Sequence, residues 1–313
     1  MRVLSGPHER WEIRDRSTAV AVGVFDGVHR GHQDLLKRLQ SIFDSGPLVV
    51  LTFSRHPDTL IVPDSSPRLL TTLSQRAALL EELGVDVIAH LDFDEAMRDM
   101  SAADFVRYVL VGSLNARHIA VGQDFRFGKG GAGDVPFLQE MGKDFGYEVL
   151  LVSLIGDEDP FSSTRIREYL KSGDIQRAGV LLGRPYALEG RVESGEGRGR
   201  SIGVPTVNLA VDSDQLLPAL GVYAVVTWNE GLRREGVANV GIRPTFGGTC
   251  ATVEIHLLDF DGELYGEVLS VEFLHRIRDE RKFSGPVELV EQILLDIDIA
   301  KSFFSGSGDF NET

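Results

Sequence analysis

Residues 19–32 read Ala-Val-Ala-Val-Gly-Val-Phe-Asp-Gly-Val-His-Arg-Gly-His, and this stretch decides the fold of the first half of the chain. Residues 19–24 are apolar on both faces of an extended strand, which is typical of a buried parallel sheet. A loop with two glycines and two histidines follows, and Gln33–Leu39 has a helical pattern. This order predicts an α/β fold with an anion site at the mouth of the helix, where free N–H groups and the helix dipole favour phosphate.

Strand-like and helix-like stretches alternate through the rest of the first half, which predicts a parallel sheet covered by helices. Ser101 with Asp104 resembles a capping box that opens a helix over Ala102–Leu110, and Gly84 ends a helix over Leu73–Leu83. Two short helices are expected over 164–171 and 174–182. The expected strands are 19–24, 48–53, 85–91, 118–121 and 149–154.

The pattern of expected elements changes at Gly183, after which strands follow one another without intervening helices. Six such strands predict a small antiparallel barrel, and Asp261-Gly262 is a hairpin signal. The expected strands are 187–193, 206–210, 222–228, 236–240, 252–259 and 270–274. A last helix over Val287–Ala300 should pack on the barrel through Leu289, Val290, Ile293, Leu294 and Ile297. The tail after Phe304 is rich in Gly, Ser and acidic residues and is expected to be disordered.

Composition narrows the class of protein. The 313 residues suffice for two domains, divided here as 1–183 and 184–313, and 42% hydrophobic with 25% charged residues is usual for a soluble globular protein. The lone Cys250 suits a reducing cytoplasm, and the start of the chain has no apolar signal region. The net charge of −15 argues against broad binding to nucleic acid or anionic membranes. No apolar run approaches the ~18 residues that a membrane-spanning helix needs.

His29 and His32 flank Gly31 at the expected start of the first helix. Both imidazoles can donate to phosphate oxygens and stabilise charge that develops there, and the glycine lets a nucleotide lie against the backbone. A chance helix start and a metal site are the alternatives. No third Cys, His or acidic ligand is evident nearby from the spacing, so the sequence does not specify a metal.

Two further segments of the first half suggest ligand contacts. Residues 161–167 (Phe-Ser-Ser-Thr-Arg-Ile-Arg) place three hydroxyls and two arginines at a helix start. The hydroxyls suit a simple cap, but cations in a first turn oppose the helix dipole and favour a bound anion. Residues 122–131 form a glycine, aromatic and basic loop after a strand, which could cover a planar ring or be an ordinary surface loop.

Residues 190–208 hold a second candidate phosphate site. Five glycines and three arginines fall within 190–203, and the segment ends on Thr206 and Asn208 at alternate positions of an expected strand. Alternate strand residues point to one side, so their oxygens, together with phosphate oxygens and water, can hold Mg2+. The lysine and spacing of a P-loop are absent. A flexible hairpin loop followed by a buried strand is the alternative.

With these segments together, the chain resembles the bacterial bifunctional riboflavin kinase / FAD synthetase family over roughly residues 15–303. Six segments in the same order carry the resemblance: GVFDGVHRGH at 23–32, SSTRIR at 162–167, GVPTVN at 203–208, ANVGIRPTF at 238–246, EIHLLDF at 254–260 and RDERKF at 278–283. Val24 and Gln123 stand where many members have Asn and an acidic residue. The resemblance implies a Rossmann-like nucleotidyltransferase domain followed by a riboflavin kinase barrel.

The resemblance also implies the chemistry and its residues. Glu254 would be the base that lets riboflavin attack the γ-phosphate of ATP, with Mg2+ held by Thr206 and Asn208. His29 and His32 would then assist transfer of AMP from a second ATP to FMN, giving FAD. The implied flavin contacts are Asp124, Phe125, Arg126, Arg281 and Phe283. The implied nucleotide contacts are Gly23, Phe25, Asp26, Gly31, Ser162, Ser163, Thr164, Arg167, Gly197, Arg200, Gly203 and Pro205.

Two other functions compete with this interpretation. The chain could be a flavin or nucleotide sensor in which one half has lost catalysis, or a riboflavin kinase whose first domain only senses ligands. The intact residue sets in both halves argue against a sensor. Small molecules are the only partners that the sequence suggests.

Overall fold

The computed structural model describes residues 1–11, 13, 16–53, 67–92, 94–152, 161–194, 199, 203–245 and 248–306, with only the backbone for 243–245 and 248–251. The chain divides into two units. The first comprises Met1–Arg68 and Leu73–Ser163, and the second comprises Leu69–Thr72 and Thr164–Thr313. Most of the tail that is expected to be disordered, residues 307–313, lies outside the described residues.

The first unit is built on a parallel sheet, as the sequence predicts. The sheet has six strands in the order β1-β4-β3-β2-β5-β6, one more than expected. The strands are β1 Arg2–Leu4, β2 Thr18–Val22, β3 Leu48–Phe53, β4 Val87–Leu91, β5 Ala116–Gly122 and β6 Glu148–Val152. The unpredicted strand is β1, which has three residues and pairs with β4. Its brevity leaves no alternating pattern to detect.

Helices cover the sheet of the first unit, and apolar side chains pack on both of its faces. Val20 and Val22 of β2 belong to one core cluster, whereas Ala19 and Ala21 belong to another. This alternation explains why β2 is apolar throughout. The helices are α1 Arg30–Ile42, α2 Leu73–Glu82, α3 Glu95–Asp99, α4 Ala102–Asp104 and α5 Val135–Phe145.

The capping box before α4 is confirmed in its first half, because the Asp104 N–H donates to Ser101 Oγ at 3.1 Å. The Asp104 carboxylate instead accepts a bond from the Ser101 hydroxyl at 2.8 Å. Beyond α4 the expected α-helix continues as a π-helix over Phe105–Ser113. Gly112 permits this wider winding, since a Cβ there would lie 2.9 Å from the Arg107 carbonyl oxygen five residues earlier.

The second unit contains the predicted antiparallel barrel, which closes in the order β10-β11-β8-β7-β12-β9. The strands are β7 Tyr186–Glu193, β8 Val207–Val211, β9 Gly221–Asn229, β10 Leu232–Thr245, β11 Gly248–Leu257 and β12 Val268–Asp279. Tyr186, Tyr223 and Phe273 fill the interior, with the Tyr223 ring edge-on to Phe273 at 5.3 Å. Such aromatic contacts add specific geometry to the burial of apolar area.

The hairpin predicted at Asp261-Gly262 is wrong. This pair lies between β11 and β12, which are not neighbours in the barrel, so the chain crosses there instead of reversing into a paired strand. A tight hairpin joins β9 to β10 at Glu230-Gly231, where both residues have positive φ (48° and 79°). Two consecutive residues with left-handed backbone match the right-handed twist of the paired strands. An Asp-Gly pair can form such a turn, but the strand order places the turn at Glu230-Gly231.

The last helix, α8 Pro286–Phe304, packs on the barrel, and Ile293 and Ile297 contact Val222, Ala224 and Val237. The predicted apolar stripe is wrong in one member, because Leu294 is 52% exposed. The buried face instead includes Asp296 and Ala300. Leu294 follows Ile293 directly, and the rotation of about 100° per residue turns it away from the face that Asp296, Ile297 and Ala300 share.

Helices α6 Ser163–Ser172 and α7 Ile175–Leu182 belong mainly to the second unit. The Ala219 N–H donates to the Leu170 carbonyl oxygen at 2.8 Å, and α7 packs on β7 and β12. Leu69 of the second unit also forms a bridge with Gln215. The second unit therefore includes residues before Gly183. The division into functional domains 1–183 and 184–313 stays a prediction.

We expect a fragment of residues 161–313 to be more stable than one of residues 184–313. The shorter fragment loses the buried side chains of Leu170, Ile175 and Leu182, each of which contributes roughly 1.5–3 kcal/mol when fully buried. Chemical denaturation followed by tryptophan fluorescence measures the difference. A fragment of residues 161–306 controls for length and should match 161–313. Equal denaturation midpoints for fragments 161–313 and 184–313 would contradict the expectation.

Candidate active sites

The turn between β2 and α1 has an unusual backbone. Phe25 has φ of 54° and Val28 has φ of 41°, values that side chains with a Cβ rarely adopt. For a β-branched residue such as Val28 the left-handed region is strained, and strain of this kind concentrates at functional sites. Both side chains are 1% exposed, so the surrounding core holds them in place.

Side chains from three other parts of the first unit hold this turn through its carbonyl oxygens. Each donates at 2.9 Å: Thr52 Oγ1 to Val24, Gln33 Nε2 to Val28 and Ser163 Oγ to Asp26. Predicted nucleotide-binding Ser163 thus supports the turn directly. The turn is therefore fixed before any ligand arrives, which reduces the cost of ordering it on binding.

Arg76 of α2 is a further support that the sequence analysis missed. Its Nη1 donates to the Val24 carbonyl oxygen at 3.0 Å, and its Nη2 lies 3.5 Å from Asp26 Oδ1. The side chains of Arg76 and Asp26 are 3% and 2% exposed. A buried pair is strongly destabilising to break, because either charge alone would be left uncompensated. An arginine inside an ordinary helical pattern carries no local signal of this role.

The two histidines lie together where α1 begins. Their rings stack with centroids 3.7 Å apart, and Phe25 packs against His32 at 4.7 Å. His29 occupies the N-cap position, but its side chain does not cap the helix. Burial, the neighbouring His29 and the charge of Arg76 hold the pKa of His32 well below its ordinary value. His32 is therefore neutral near pH 7 and can donate from one ring nitrogen.

A cavity of about 350 Å³ opens beside His32. It brings together most of the nucleotide and flavin residues predicted for the first unit. Its walls include Gly23, Phe25, His32, Asp124, Phe125, Phe161 and Ser162. Arg126 is the exception among the predicted residues of the 122–131 loop, because its guanidinium is 63% exposed and pairs with Asp134 at 3.2 Å. Gly31 is buried in the first turn of α1.

The cations at the start of α6 differ in their surroundings. Arg165 Nη1 donates to Glu168 at 2.9 Å and its guanidinium lies over the Tyr169 ring at 4.7 Å. Arg167 is 8% exposed, and Thr164 is exposed. These three residues belong to the second unit, whereas Ser162 and Ser163 belong to the first. The expected anion contact of this segment stays a prediction.

Register places three polar side chains in a row across the barrel. Glu254 of β11 pairs with Asn208 of β8 on one side and with Asn239 of β10 on the other. Directly opposed residues point to the same face of a sheet. Val253 and Ile255 beside Glu254 are buried in the barrel, so the row lies on its outer face. Asn239 lies inside a recognised sequence segment, but only the register identifies it as a neighbour of Glu254.

A cavity of about 300 Å³ lies between this outer face and α8. Thr206, Asn239 and Glu254 form a polar part of its wall, and Val222, Val237, Ile293 and Ile297 form an apolar part. Gly203 and Pro205 are exposed beside it, and His256 Nδ1 donates to the Pro205 carbonyl oxygen at 2.8 Å. Gly199 also lines the cavity, and a Cβ there would lie 2.3 Å from the Val204 oxygen. The predicted contacts Gly197 and Arg200 lie outside the described residues.

The predicted flavin residues of the second unit border the same cavity. Arg281 and Phe283 both line it, and the Arg281 guanidinium lies 4.7 Å from the centre of the Phe283 ring. Arg281 also pairs with Glu288 at 3.5 Å. In the part of the chain that the structure describes, no three His, Cys, Asp or Glu side chains are grouped to hold a metal ion. Of the two predicted Mg2+ ligands, Thr206 lines the cavity, and Asn208 lies opposite Glu254 in the strand register.

Comparison with known families divides the chain as its two cavities do. The FAD synthetase family matches residues 12–165, and the riboflavin kinase family matches residues 182–304. The first range contains the His32 cavity, and the second contains the Glu254 cavity. Residues 166–181, which include most of α6 and α7, are matched by neither family.

Several relatives match over nearly the whole chain. The bifunctional riboflavin kinase/FMN adenylyltransferase of Haemophilus influenzae is 38% identical over 97% of this chain and 100% of its own length. The proteins of that name from Escherichia coli and Bacillus subtilis are 37% and 35% identical, covering 97% and 96% of this chain and 98% and 97% of their own lengths.

One solved structure has the same architecture along nearly the whole chain. This Streptococcus pneumoniae protein, described as a macrolide-efflux protein, superposes with a TM-score of 0.87 at 33% identity, covering 96% of this chain and 99% of its own. In the present chain, none of the helices within the described residues is long and apolar enough to cross a membrane.

Replacing His32 with glutamine should weaken the loss of stability that the first unit shows as the pH falls below about 6.5. The pKa of His32 is lowered in the folded protein and returns to about 6.5 on unfolding. Just below that pH the unfolded chain binds more protons, so His32 lowers the free energy of unfolding by up to about 1.4 kcal/mol per pH unit as the pH falls. Above this window His32 adds no pH dependence. Thermal unfolding between about pH 8 and pH 5 measures the effect.

The matched control is Gln123→Ala, which alters the same cavity without removing an ionisable group. It should keep the wild-type pH slope. A His32→Gln variant with the wild-type slope would show that the environment of His32 does not perturb its protonation.

Proposed function

The chain belongs to the bifunctional riboflavin kinase/FMN adenylyltransferase family, and we propose that its two cavities divide the two reactions. Riboflavin is phosphorylated to FMN at the Glu254 cavity, and FMN is adenylylated to FAD at the His32 cavity. The observation that carries this division is that each family match spans one cavity and the residues predicted for that reaction. The proposed ranges of the two catalytic domains are 1–183 and 184–313.

In the kinase reaction Glu254 acts as the general base. Its carboxylate takes the proton of the ribityl 5′-hydroxyl, whose oxygen forms a bond to the γ-phosphorus of ATP as the bond to the β,γ-bridging oxygen breaks, giving FMN and ADP. A positioned base typically contributes ~10²–10⁴-fold to such a rate. Support comes from the place of Glu254 in the cavity wall, between Asn208 and Asn239.

Thr206 and Asn208 fit a magnesium site because both offer neutral oxygens close to Glu254 along the barrel face. When bound, Mg2+ neutralises charge on the phosphate oxygens and helps to align the γ-phosphate. Thr206 and Asn208 orient the triphosphate relative to Glu254. Gly203 keeps the neighbouring backbone open to phosphate, and Gly199 lets the chain pack against the Val204 carbonyl oxygen. Gly197, Arg200 and Pro205 complete the proposed contacts.

In the adenylyl transfer an oxygen of the FMN phosphate attacks the α-phosphorus of ATP, and pyrophosphate leaves. The first N–H groups of α1 and the rings of His29 and His32 donate to the oxygens that gain charge. A neutral His32 can do this without first losing a proton. Asp26 and Arg76 hold the turn that presents these donors, and Gly23 and Gly31 let the nucleotide approach the backbone.

The proposed substrates are riboflavin, FMN and ATP, with FAD and pyrophosphate as products of the second step. Asp124, Phe125 and Arg126 are proposed to contact FMN in the first unit. Ser162, Ser163, Thr164 and Arg167 are proposed to contact the nucleotide, and Arg281 and Phe283 to contact riboflavin. The single Cys250 and the net charge of −15 favour action on small molecules in the cytoplasm, without nucleic acid or membrane partners.

Glu254→Gln should abolish most riboflavin phosphorylation and leave FMN adenylylation near the wild-type rate. The change keeps the size of the side chain and removes the base, which should lower the kinase rate by ~10²–10⁴-fold. Chromatography of flavins after incubation with riboflavin or FMN and MgATP separates the two activities. Glu267→Gln, on an exposed loop residue of the same unit, is the matched control.

Equal loss of both activities in a folded Glu254→Gln protein would contradict the assignment of the two reactions to separate sites. A wild-type protein that makes no FMN from riboflavin would contradict the proposed kinase function itself.

Replacing both His29 and His32 with alanine should stop FAD formation and let FMN accumulate from riboflavin. Loss of one donor to developing charge typically lowers a rate by ~10²–10³-fold, so the double change should be plain in an end-point assay. Kinase activity in the same sample verifies that the barrel is folded, and the melting temperature reports on the first unit. If the two rings only pack the helix, the protein should melt earlier but still make FAD.

A further inference from the structure

Buried acidic side chains are rare in the described parts of this protein. Among the residues that the structure describes, Asp26 and Asp296 are the two buried acidic side chains, each 2% exposed. Asp26 belongs to the nucleotide turn and pairs with Arg76. Asp296 lies in the middle of α8, outside every sequence segment that carries the family resemblance, and it lines the Glu254 cavity.

Asp296 is bound tightly by Arg278 at the end of β12. Arg278 Nε donates to both carboxylate oxygens at 2.9 and 3.1 Å, and Nη2 donates to Oδ2 at 2.8 Å. Gln292, one turn earlier in α8, donates to Oδ1 at 2.7 Å. These bonds use both carboxylate oxygens and hold the Arg278 guanidinium against α8.

Arg278 in turn starts the loop that borders the cavity. Its Nη1 donates to the Asp279 carbonyl oxygen at 2.9 Å, and its guanidinium lies 5.7 Å from the centre of the Phe283 ring. Arg281 lies on the same ring at 4.7 Å. The position of Phe283 therefore depends on two guanidinium groups, one of which is fixed by Asp296.

The far end of this loop is tied to the same helix. Glu288 of α8 accepts bonds from the Ser284 N–H at 2.9 Å and the Ser284 hydroxyl at 2.7 Å. Loop residues 279–285 are thus anchored to α8 at both ends, with Phe283 between the anchors. Motion of α8 against β12 would move the Phe283 side of the cavity.

The chemistry of the cavity wall indicates which substrate this loop faces. Phe283, Leu289, Ile293 and Ile297 lie on the side of α8 and its loop, beside the paired Arg278 and Asp296. The strand side carries the polar Thr206, Asn239 and Glu254 together with the apolar Val222 and Val237. A flat, largely apolar ring system suits the first side, and phosphate suits the second. The loop and α8 therefore form the wall for the ring of the phosphate acceptor.

We propose that Asp296 is a positioning residue for riboflavin, which fixes Arg278 and through it the Phe283 wall of the kinase cavity. This proposal rests on the assignment of riboflavin phosphorylation to the Glu254 cavity. Well-packed apolar residues often replace buried ion pairs without loss of stability, so packing of α8 alone does not require this pair. A fixed wall, by contrast, requires directional bonds, and a bidentate pair with arginine supplies them.

The test compares Asp296→Asn with wild type in the full-length chain. Asparagine keeps the shape but removes the charge and one acceptor of the Arg278 pair. We expect the KM for riboflavin to rise by about tenfold, because a misplaced wall weakens binding of the ring. The KM for ATP and the rate of FMN adenylylation should each change by less than about twofold.

Asp298→Asn is the matched control, because Asp298 lies two residues further along α8 and is exposed. It should leave both KM values unchanged. Arg278→Lys is a second variant that keeps a cation but cannot form the two-pronged bond, and it should also raise the KM for riboflavin. It decides the matter if Asp296→Asn does not fold, as judged from its melting curve.

The outcomes are distinct. If Asp296→Asn and Arg278→Lys lower the melting temperature but leave the KM for riboflavin unchanged, the proposal is overturned. The pair would then only stabilise the fold. Equal increases in the KM for riboflavin and the KM for ATP would also overturn it. A wild-type chain that forms no FMN would overturn the kinase assignment and, with it, this proposal.

Discussion

The buried contact between Arg76 and Asp26 is the constraint on which the first unit's site depends. The turn that joins β2 to α1 has two residues, Phe25 and Val28, in a backbone region that they would not adopt alone. Arg76 binds the Val24 carbonyl oxygen and faces the Asp26 carboxylate, both away from water. The same charge helps to keep His32 neutral. Burial and the neighbouring His29 lower the pKa of His32 more than Arg76 does, so Arg76 fixes the geometry of the turn and makes a smaller contribution to the protonation of His32.

The second unit solves a similar problem with the same pair of residue types. Asp296 is buried on α8 and binds Arg278, which begins the loop beside the Glu254 cavity. In both units a buried carboxylate pairs with an arginine next to a loop that borders a cavity. Such pairs contribute little net stability compared with apolar packing, but their directional bonds hold one geometry. A site that must align phosphate groups benefits from that restriction.

Local patterns in the sequence predicted most of the architecture. The parallel sheet, the barrel, the last helix and the Ser101 cap follow from periodicity and end signals that involve residues a few positions apart. The errors arose where the pattern was ambiguous or too short. Asp261-Gly262 has hairpin composition, but the strand order makes it part of a crossing, and β1 has only three residues. Leu294 fits an apolar stripe, although the barrel covers a neighbouring face of α8.

The sequence alone specified the two fold types and the order of the elements, and it suggested the chemical types of the proposed site residues, because neighbouring residues and short motifs encode these features. Only the tertiary structure decided which side chains meet. Ser163 reaches the Asp26 carbonyl across 137 positions, and Arg76 reaches that of Val24 across 52. Glu254 gains Asn239 as a neighbour through strand register alone. The Glu254 cavity lies outside the barrel, under α8, because helix packing closes it there. These contacts depend on distant chain segments, which no local pattern specifies.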